Sequence, residues 1–399
     1  MTRNHQNQSH LALKRRFWVT ITLLLMLAGV RVAWGQLQMN ASLYSSAGHT
    51  DQYVSSALGS AQSFVNNSLD LSADSDGYWR TYLQLNALHT LTDTEYSTIY
   101  GELGLQFRYL EIDHVQLFAG VHSGLTRYRS DYSYFSHTHM GGYGKARYYF
   151  APGRSLQSSL AVTKKVFTDL PEAGRLEMDM RLAFNYSFPW RGALRVEPRF
   201  SQQHFQTVTS YEAISNQNGR WVSSALPGRR LLGVDLRLSQ SLHQSLGLTL
   251  WGGGQSVDTS QPTTLLVLEA YENPFIDEFS WRGGWLAARM QWRANQRVAV
   301  YLIGRSEQRQ YLDALVYEYD FANGTYLQDE SGYLTTGELR EEIRLKTELG
   351  ASLDIGRPEI NWWQDVQLRL SMGFRDHESN DPVYTFSGSY FNLSIENHY

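Results

Sequence analysis

The chain has 399 residues, 32 glycines, no cysteine and a formal net charge of −4, with 42% hydrophobic and 13% aromatic residues. Without cysteine it has neither disulfide staples nor thiolate metal ligands, and its slightly acidic balance gives no basic footprint, so nucleic acid is not expected as a partner. After the N-terminus no apolar run reaches the ~18–20 residues of a spanning helix, so a closed barrel is the only form in which this chain could cross a bilayer.

The first element is a leader. Lys14, Arg15 and Arg16 form a basic flank, residues 17–30 (FWVTITLLLMLAGV) an apolar stretch, and Ala33-Trp34-Gly35 a small-residue cleavage region. This is the three-part pattern of a secretory signal peptide over 1–35, with a retained membrane anchor as the alternative. Five basic residues and no acidic ones leave with it, which takes the net charge from −4 to −9. The remaining domain is 36–399.

From Gln36 onward the recurring signal is two-residue alternation. Strands are expected at about 37–48 and 61–73 and at 99–109. In 176–188, Leu176, Met178, Met180, Leu182, Phe184, Tyr186 and Phe188 oppose Glu177, Asp179, Arg181 and Asn185. Runs at 194–200 and 232–239 follow the same rule. In 343–355, Ile343, Leu345, Leu349, Ala351, Leu353 and Ile355 oppose Arg344, Lys346, Glu348, Gly350, Ser352 and Asp354. In 366–375, Val366, Leu368, Leu370, Met372 and Phe374 oppose Gln367, Arg369 and Arg375. Runs of about 9 to 13 residues match the length of a tilted spanning strand.

Alternation also fits a soluble sandwich; the connections separate the two. Brief turns at 113–114, 151–154, 189–192, 243–244 and 293–296 alternate with longer links at 129–138, 206–228, 256–278 and 312–340, the rim asymmetry of a spanning barrel. Tyr109, Tyr148, Phe150, Tyr186, Phe188, Trp190, Trp292, Trp362 and Trp363 sit near brief turns and read as an interfacial girdle. Fourteen strands count back from the C-terminus to Tyr78, and 36–73 holds two more. The fold class is therefore all-β, a membrane-spanning antiparallel up-and-down barrel of about sixteen strands, with fourteen as the alternative.

The charged face carries the functional expectation. Glu102, Arg108, Lys145, Arg147, Glu177, Asp179, Arg181, Arg195, Glu197, Arg199, Asp235, Arg237, Arg344, Lys346, Glu348, Arg369 and Arg375 alternate with apolar residues. One Arg at mid-depth in lipid costs roughly 2–4 kcal/mol, so these residues should line the lumen. They suit either a hydrated channel for small polar solutes or an ion-pair network that stabilises a closed barrel. The 311–340 region adds Tyr311, Tyr317, Tyr319, Phe321, Tyr326 and Tyr333 to Asp313, Glu318, Asp320, Asp329, Glu330 and Glu338. It suits sugar stacking, pore narrowing or plain loop packing, and 320–324 (DFANG) reads as a turn. No Ser or Asp stands in a recognisable relation to His122, His139 or His204, so neither catalytic nor metal residues are assigned and no cofactor is expected. Gly252-Gly253-Gly254 follows a strand with no helix after it, and reads as a bend rather than a phosphate loop.

The C-terminus, Phe391-Asn-Leu393-Ser-Ile395-Glu-Asn-His-Tyr399, is an alternating strand ending on an aromatic. It resembles the terminal strand of Gram-negative outer-membrane β-barrel proteins, although Asn397 departs from the usual apolar position. The resemblance implies porin-like architecture, export through the general secretory pathway and residence in the cell outer membrane among lipid and lipopolysaccharide. It further implies periplasmic chaperones and the barrel-assembly machinery as partners in biogenesis, with Phe391, Leu393, Ile395 and Tyr399 as the assembly signal. A first strand close to the cleavage site leaves room for neither plug nor periplasmic domain. The functional expectation is passive or weakly selective passage of small hydrophilic solutes. The alternative is a non-conducting barrel whose loops, near 206–228, 256–278 and 312–340, contact a surface polymer or a partner protein.

Overall fold

The computed structural model describes residues 37–51, 61–75, 78–112, 114–212, 220–224, 228–259, 278–320, 322–323, 325–329, 332–356 and 365–398. The leader, Trp362, Trp363 and Tyr399 lie outside them, as does the side chain of Tyr109.

Valine, leucine, tyrosine and phenylalanine at every second position favour a pleated surface with one greasy side. Sixteen such segments pair in chain order: β1 (Leu37–Thr50), β2 (Gln62–Ser75), β3 (Trp79–Thr90), β4 (Thr98–Ile112), β5 (Val115–Tyr128), β6 (His137–Ala151), β7 (Arg154–Phe167), β8 (Arg175–Phe188), β9 (Gly192–Phe205), β10 (Arg229–His243), β11 (Leu246–Thr259), β12 (Trp281–Arg293), β13 (Val298–Tyr317), β14 (Thr335–Asp354), β15 (Asp365–Ser379) and β16 (Phe386–His398). All neighbours are antiparallel, and the sheet closes where β1 pairs β16 from Ser42↔His398 to Thr50↔Tyr390. Closure removes the unpaired edge that an open sheet would present. The sixteen-strand reading holds, and the two N-terminal strands settle it over fourteen.

At the brief turns, Pro152 fixes φ and Gly153 takes φ 72°, so β6 reverses directly into β7 with Ala151 opposite Arg154. Both strand termini of the barrel lie on this rim. At the opposite rim lie the strand ends Thr50 and Gln62, Phe205 and Arg229, Thr259 and Trp281, and Tyr317 and Thr335, together with shorter links holding the 3-10 turns Thr94–Tyr96, Ser130–Phe135, Pro171–Ala173 and Pro382–Tyr384. The region 312–340 is narrower as a loop than its composition suggests. β13 and β14 are each 20 residues long and absorb both of its ends. The reason lies in the register, which shifts between Gln310 and Leu315 and again before Tyr317. A one-residue slip swaps faces, so the alternation breaks although the strand continues.

The apolar face is exposed all around: Leu103, Val121, Met140, Leu160, Met180, Leu236, Leu286, Leu302, Leu349 and Met372 are among its exposed residues, Leu286 at 65%. Among the described residues no second layer covers it, so this face is the lipid face and the barrel spans a membrane. Near the brief turns it becomes aromatic. Phe188 meets Tyr186 edge-to-face at 4.8 Å and stacks on Trp190 at 4.7 Å, Phe150 lies 6.1 Å from Phe184, and Trp292 is exposed. Amphipathic rings at one level are what a headgroup interface selects. Packed apolar clusters occur instead at the loop end, where Leu231, Val257 and Phe279 meet Leu312, and Trp281 meets Tyr311 and Ala314. The turn at 278–280 is tied down there by Arg229, whose guanidinium donates to the Phe279 carbonyl at 3.1 Å.

Candidate functional site

The residues singled out for the lumen share the polar face, and the structure shows how each is held. On β4, Glu102 accepts from the Tyr100 hydroxyl at 2.7 Å and the Tyr82 hydroxyl at 3.0 Å, and lies 3.0 Å from His139 Nε2. The last contact passes over β5 at Gly124, where a Cβ would stand 2.7 Å from the His139 ring. Glycine at that point is what lets a β6 side chain reach β4. Arg108 stands opposite Phe118 beside a bulge in β4. Lys145 lies 4.9 Å over the Tyr143 ring, and Arg147 donates to Gln157 at 2.9 Å and to the Tyr149 hydroxyl at 3.1 Å. Glu102, Lys145, Tyr82, Tyr143, Asp70 and Arg80 together line a recess of about 580 Å³ in the wall formed by β1 to β6.

On β8 and β9, Glu177 binds Arg175 at 2.8 Å and Lys165 at 2.9 Å. Asp179 binds Arg181 and accepts from the Ser201 hydroxyl, each at 2.7 Å. Arg195 pairs with Glu197, two residues along its strand. Arg199 reaches Gln255 on β11 at 2.6 Å, crossing Gly233 of β10. Asp235 faces Glu197, and Arg237 faces Arg195. On β14 to β16, Arg344 donates to Glu342 at 2.7 Å, and Lys346 lies 3.0 Å from Glu348. Glu348 also accepts from the Tyr390 and Tyr301 hydroxyls at 2.6 and 3.1 Å. Arg369 binds Glu396 at 2.8 Å, and Arg375 lies 4.8 Å over the Tyr390 ring.

These pairs run along the wall, chiefly between residues two apart on one strand or on adjoining strands. Their members also accept from tyrosines that the charge pattern alone does not reveal. Alternation also misses Arg289, Arg305, Glu307, Arg309, Arg340 and Glu342. The opposing face of β13 beyond Leu302 turns to Gly304, Ser306, Gln308 and Gln310, so it carries no greasy partner pattern to mark them.

At the loop end the Arg340 guanidinium lies 3.8 Å from both the Tyr311 and Tyr384 rings. Its Nε is 3.2 Å from Glu342 Oε1, close enough for charge attraction but off the angle of a hydrogen bond. Next to it, Asp381 is buried; its Oδ1 accepts from Val383 N at 3.1 Å and its Oδ2 has no hydrogen-bond partner among the described residues. Burial raises the Asp381 pKa from its ordinary value, and burial likewise lifts Tyr384 to about 12. A carboxyl raised in the folded state stabilises the fold below its unfolded pKa and loses that contribution as pH rises through the folded value. Hydrogen exchange in 380–385 should therefore slow as pH drops from 7 toward 4, after correction for intrinsic rates, and Asp381→Asn should flatten the trend. A wild-type loop that loosens on acidification would contradict this.

The tyrosines of the 318–334 link pack on one another, with Tyr326 edge-on to Tyr317 and Tyr319 at 6.1 and 5.0 Å. The side chains of Asp313, Phe321, Asp329, Glu330 and Tyr333 lie outside the described residues. His122 and His139 lie 6.0 Å apart, while His204 is exposed on the opposite face of the sheet. Among the described residues no group of three or more His, Asp or Glu is arranged to hold a metal ion. Phe391, Leu393 and Ile395 are exposed on the apolar face of β16.

No protein-family model matches the chain, and no curated protein matches it significantly. Among solved structures it is similar to OprD of Pseudomonas aeruginosa, at 13% identity over 92% of this chain and 96% of that one, TM-score 0.47. It is also similar to OccAB1 of Acinetobacter baumannii, at 8% identity over 90% and 96%, TM-score 0.47, and to a bacterial polysaccharide outer membrane secretin, at 9% over 90% and 97%, TM-score 0.48. At such identities the likeness is one of barrel architecture.

Proposed function

We propose that the barrel is an outer-membrane channel through which small hydrophilic solutes pass, and that the charged residues of its polar face line a hydrated lumen. One observation carries this reading. The ionised side chains pair along the wall, as Arg175–Glu177, Asp179–Arg181, Arg195–Glu197 and Lys346–Glu348 do, so among the described residues these pairs do not form the bonds across the lumen that a closing network would need. A barrel of sixteen strands is also too wide for side chains to fill. The lipid face, the aromatic rim and the strand β16 support residence in an outer membrane containing lipopolysaccharide. They also support export through the secretory pathway after loss of 1–35, and assembly signalled by Phe391, Leu393, Ile395 and Tyr399. In this reading the links at 206–228, 260–280 and 318–334 face the outside, and the protein is not an enzyme. Purified protein added to a planar lipid bilayer should insert in discrete conductance steps. A folded preparation that inserts into vesicles yet never conducts would overturn the channel reading.

A further inference from the structure

On the polar face, Arg305 of β13, Lys346 of β14 and Arg375 of β15 stand in one cross-strand row, Arg305 directly opposite Lys346 and Lys346 directly opposite Arg375. The row is bounded by Ala287 on β12 and Gly388 on β16. Like charges directly opposed on a sheet oppose its stability, so the alignment itself does not stabilise the sheet. The nearby carboxylates cancel it only in part. Glu348 pairs with Lys346 at 3.0 Å, but the single charge of Glu307 is shared between Arg305 at 3.3 Å and Arg309 at 2.7 Å. Arg305 Nε has no hydrogen-bond partner among the described residues.

The heads are held in place by rings. Arg305 lies 4.8 Å over Trp285, while Lys346 and Arg375 lie 5.0 and 4.8 Å over the same Tyr390. Stacking positions a cation without neutralising it. The side chains of Arg305 and Lys346 each remain 39% exposed, open to the lumen water.

We propose that this row is a binding station for oxyanionic solutes carrying two or more carboxylate or phosphate groups. The inference rests on the channel reading and gives it a solute class. Strands ~4.8 Å apart spread three cationic heads over roughly 10 Å, the span of a small di- or tricarboxylate. Arginine forks at both ends can each take two oxygens, with the compact lysine charge between them.

The test is selectivity of single channels in a planar bilayer under a potassium chloride gradient, with citrate and inorganic phosphate as separate probes and glucose as the neutral control. The wild type should prefer chloride over potassium, and citrate should interrupt its current where glucose does not. Stronger interruption by phosphate than by citrate would assign the station to phosphate-bearing solutes. The triple variant Arg305→Gln, Lys346→Gln, Arg375→Gln should still conduct, lose its anion preference and bind citrate more weakly by about tenfold for each head removed, the scale of one charge-assisted bond. Its thermal unfolding should stay close to that of the wild type, because relief of the mutual repulsion offsets the loss of the half-exposed Arg305–Glu307 and Lys346–Glu348 pairs; a large fall in stability would mark the row as structural and overturn the inference. Conductance without anion preference, or citrate block unchanged in the variant, would overturn the station and leave the channel standing. Absence of conductance in the folded wild type would remove both.

Discussion

Leu349→Arg should destabilise the barrel by about 2–4 kcal/mol in lipid, the cost of one arginine near the bilayer midplane. Leu349 lies on the apolar face of β14 and is exposed, and its cross-strand neighbours Leu302, on β13, and Met372, on β15, are exposed on the same face. Phe391 continues the row on β16. None of the described residues covers these four side chains, so lipid is what satisfies them, and a guanidinium placed among them meets no counter-ion of the described residues. Leu349→Ala should cost much less, because lipid chains fill the space that a packed core would leave as a cavity. Reversible guanidinium unfolding in lipid vesicles measures both variants. An arginine variant within about 0.5 kcal/mol of the wild type, the usual range for a water-facing substitution, would mean that this face meets water and would remove the spanning barrel.

The strand pattern was legible because a lipid face on one side and ionised groups on the other impose strict alternation, and nothing in a single-layer barrel relaxes it. Segments 176–188, 343–355 and 366–375 each fall on a spanning strand for that reason. Legibility failed where the physics changes. Beyond Leu302 the outer face of β13 carries glycine, serine and glutamine, and the register shift after Gln310 reverses the faces, so the longest hairpin read as a loop. The functional face was legible as charge but not as arrangement. Registers between strands are set by pairing across the sheet, so the alignment of Arg305, Lys346 and Arg375 depends on three separate segments and leaves no mark in any one of them. The same holds for Gly124, whose role is defined by the His139 ring that crosses it toward Glu102.

Glu342→Ala should be the most damaging substitution at the loop end, with a cost of about 3–5 kcal/mol, the range for removing one partner of a buried ionic cluster. Glu342 is 1% exposed and is, among the described residues, the one carboxylate paired with both Arg340 and Arg344, and it accepts from the Tyr311 hydroxyl at 3.2 Å. Its loss leaves two guanidinium groups facing each other with little access to water. Arg340 is further confined between two tyrosine rings and cannot swing out to be hydrated. Arg340→Met should cost less, because Glu342 then keeps Arg344 at 2.7 Å and the thioether chain can occupy the slot between the rings. The double variant Glu342→Ala, Arg340→Met should recover part of the loss, since it deletes the cation with least access to solvent. The order single Glu342 variant, double variant, single Arg340 variant, from least to most stable, is therefore the signature of a dry cluster. Equal and small effects for all three, read by the same unfolding experiment, would show that water reaches these charges and that the loop end of the barrel is looser than its packing implies.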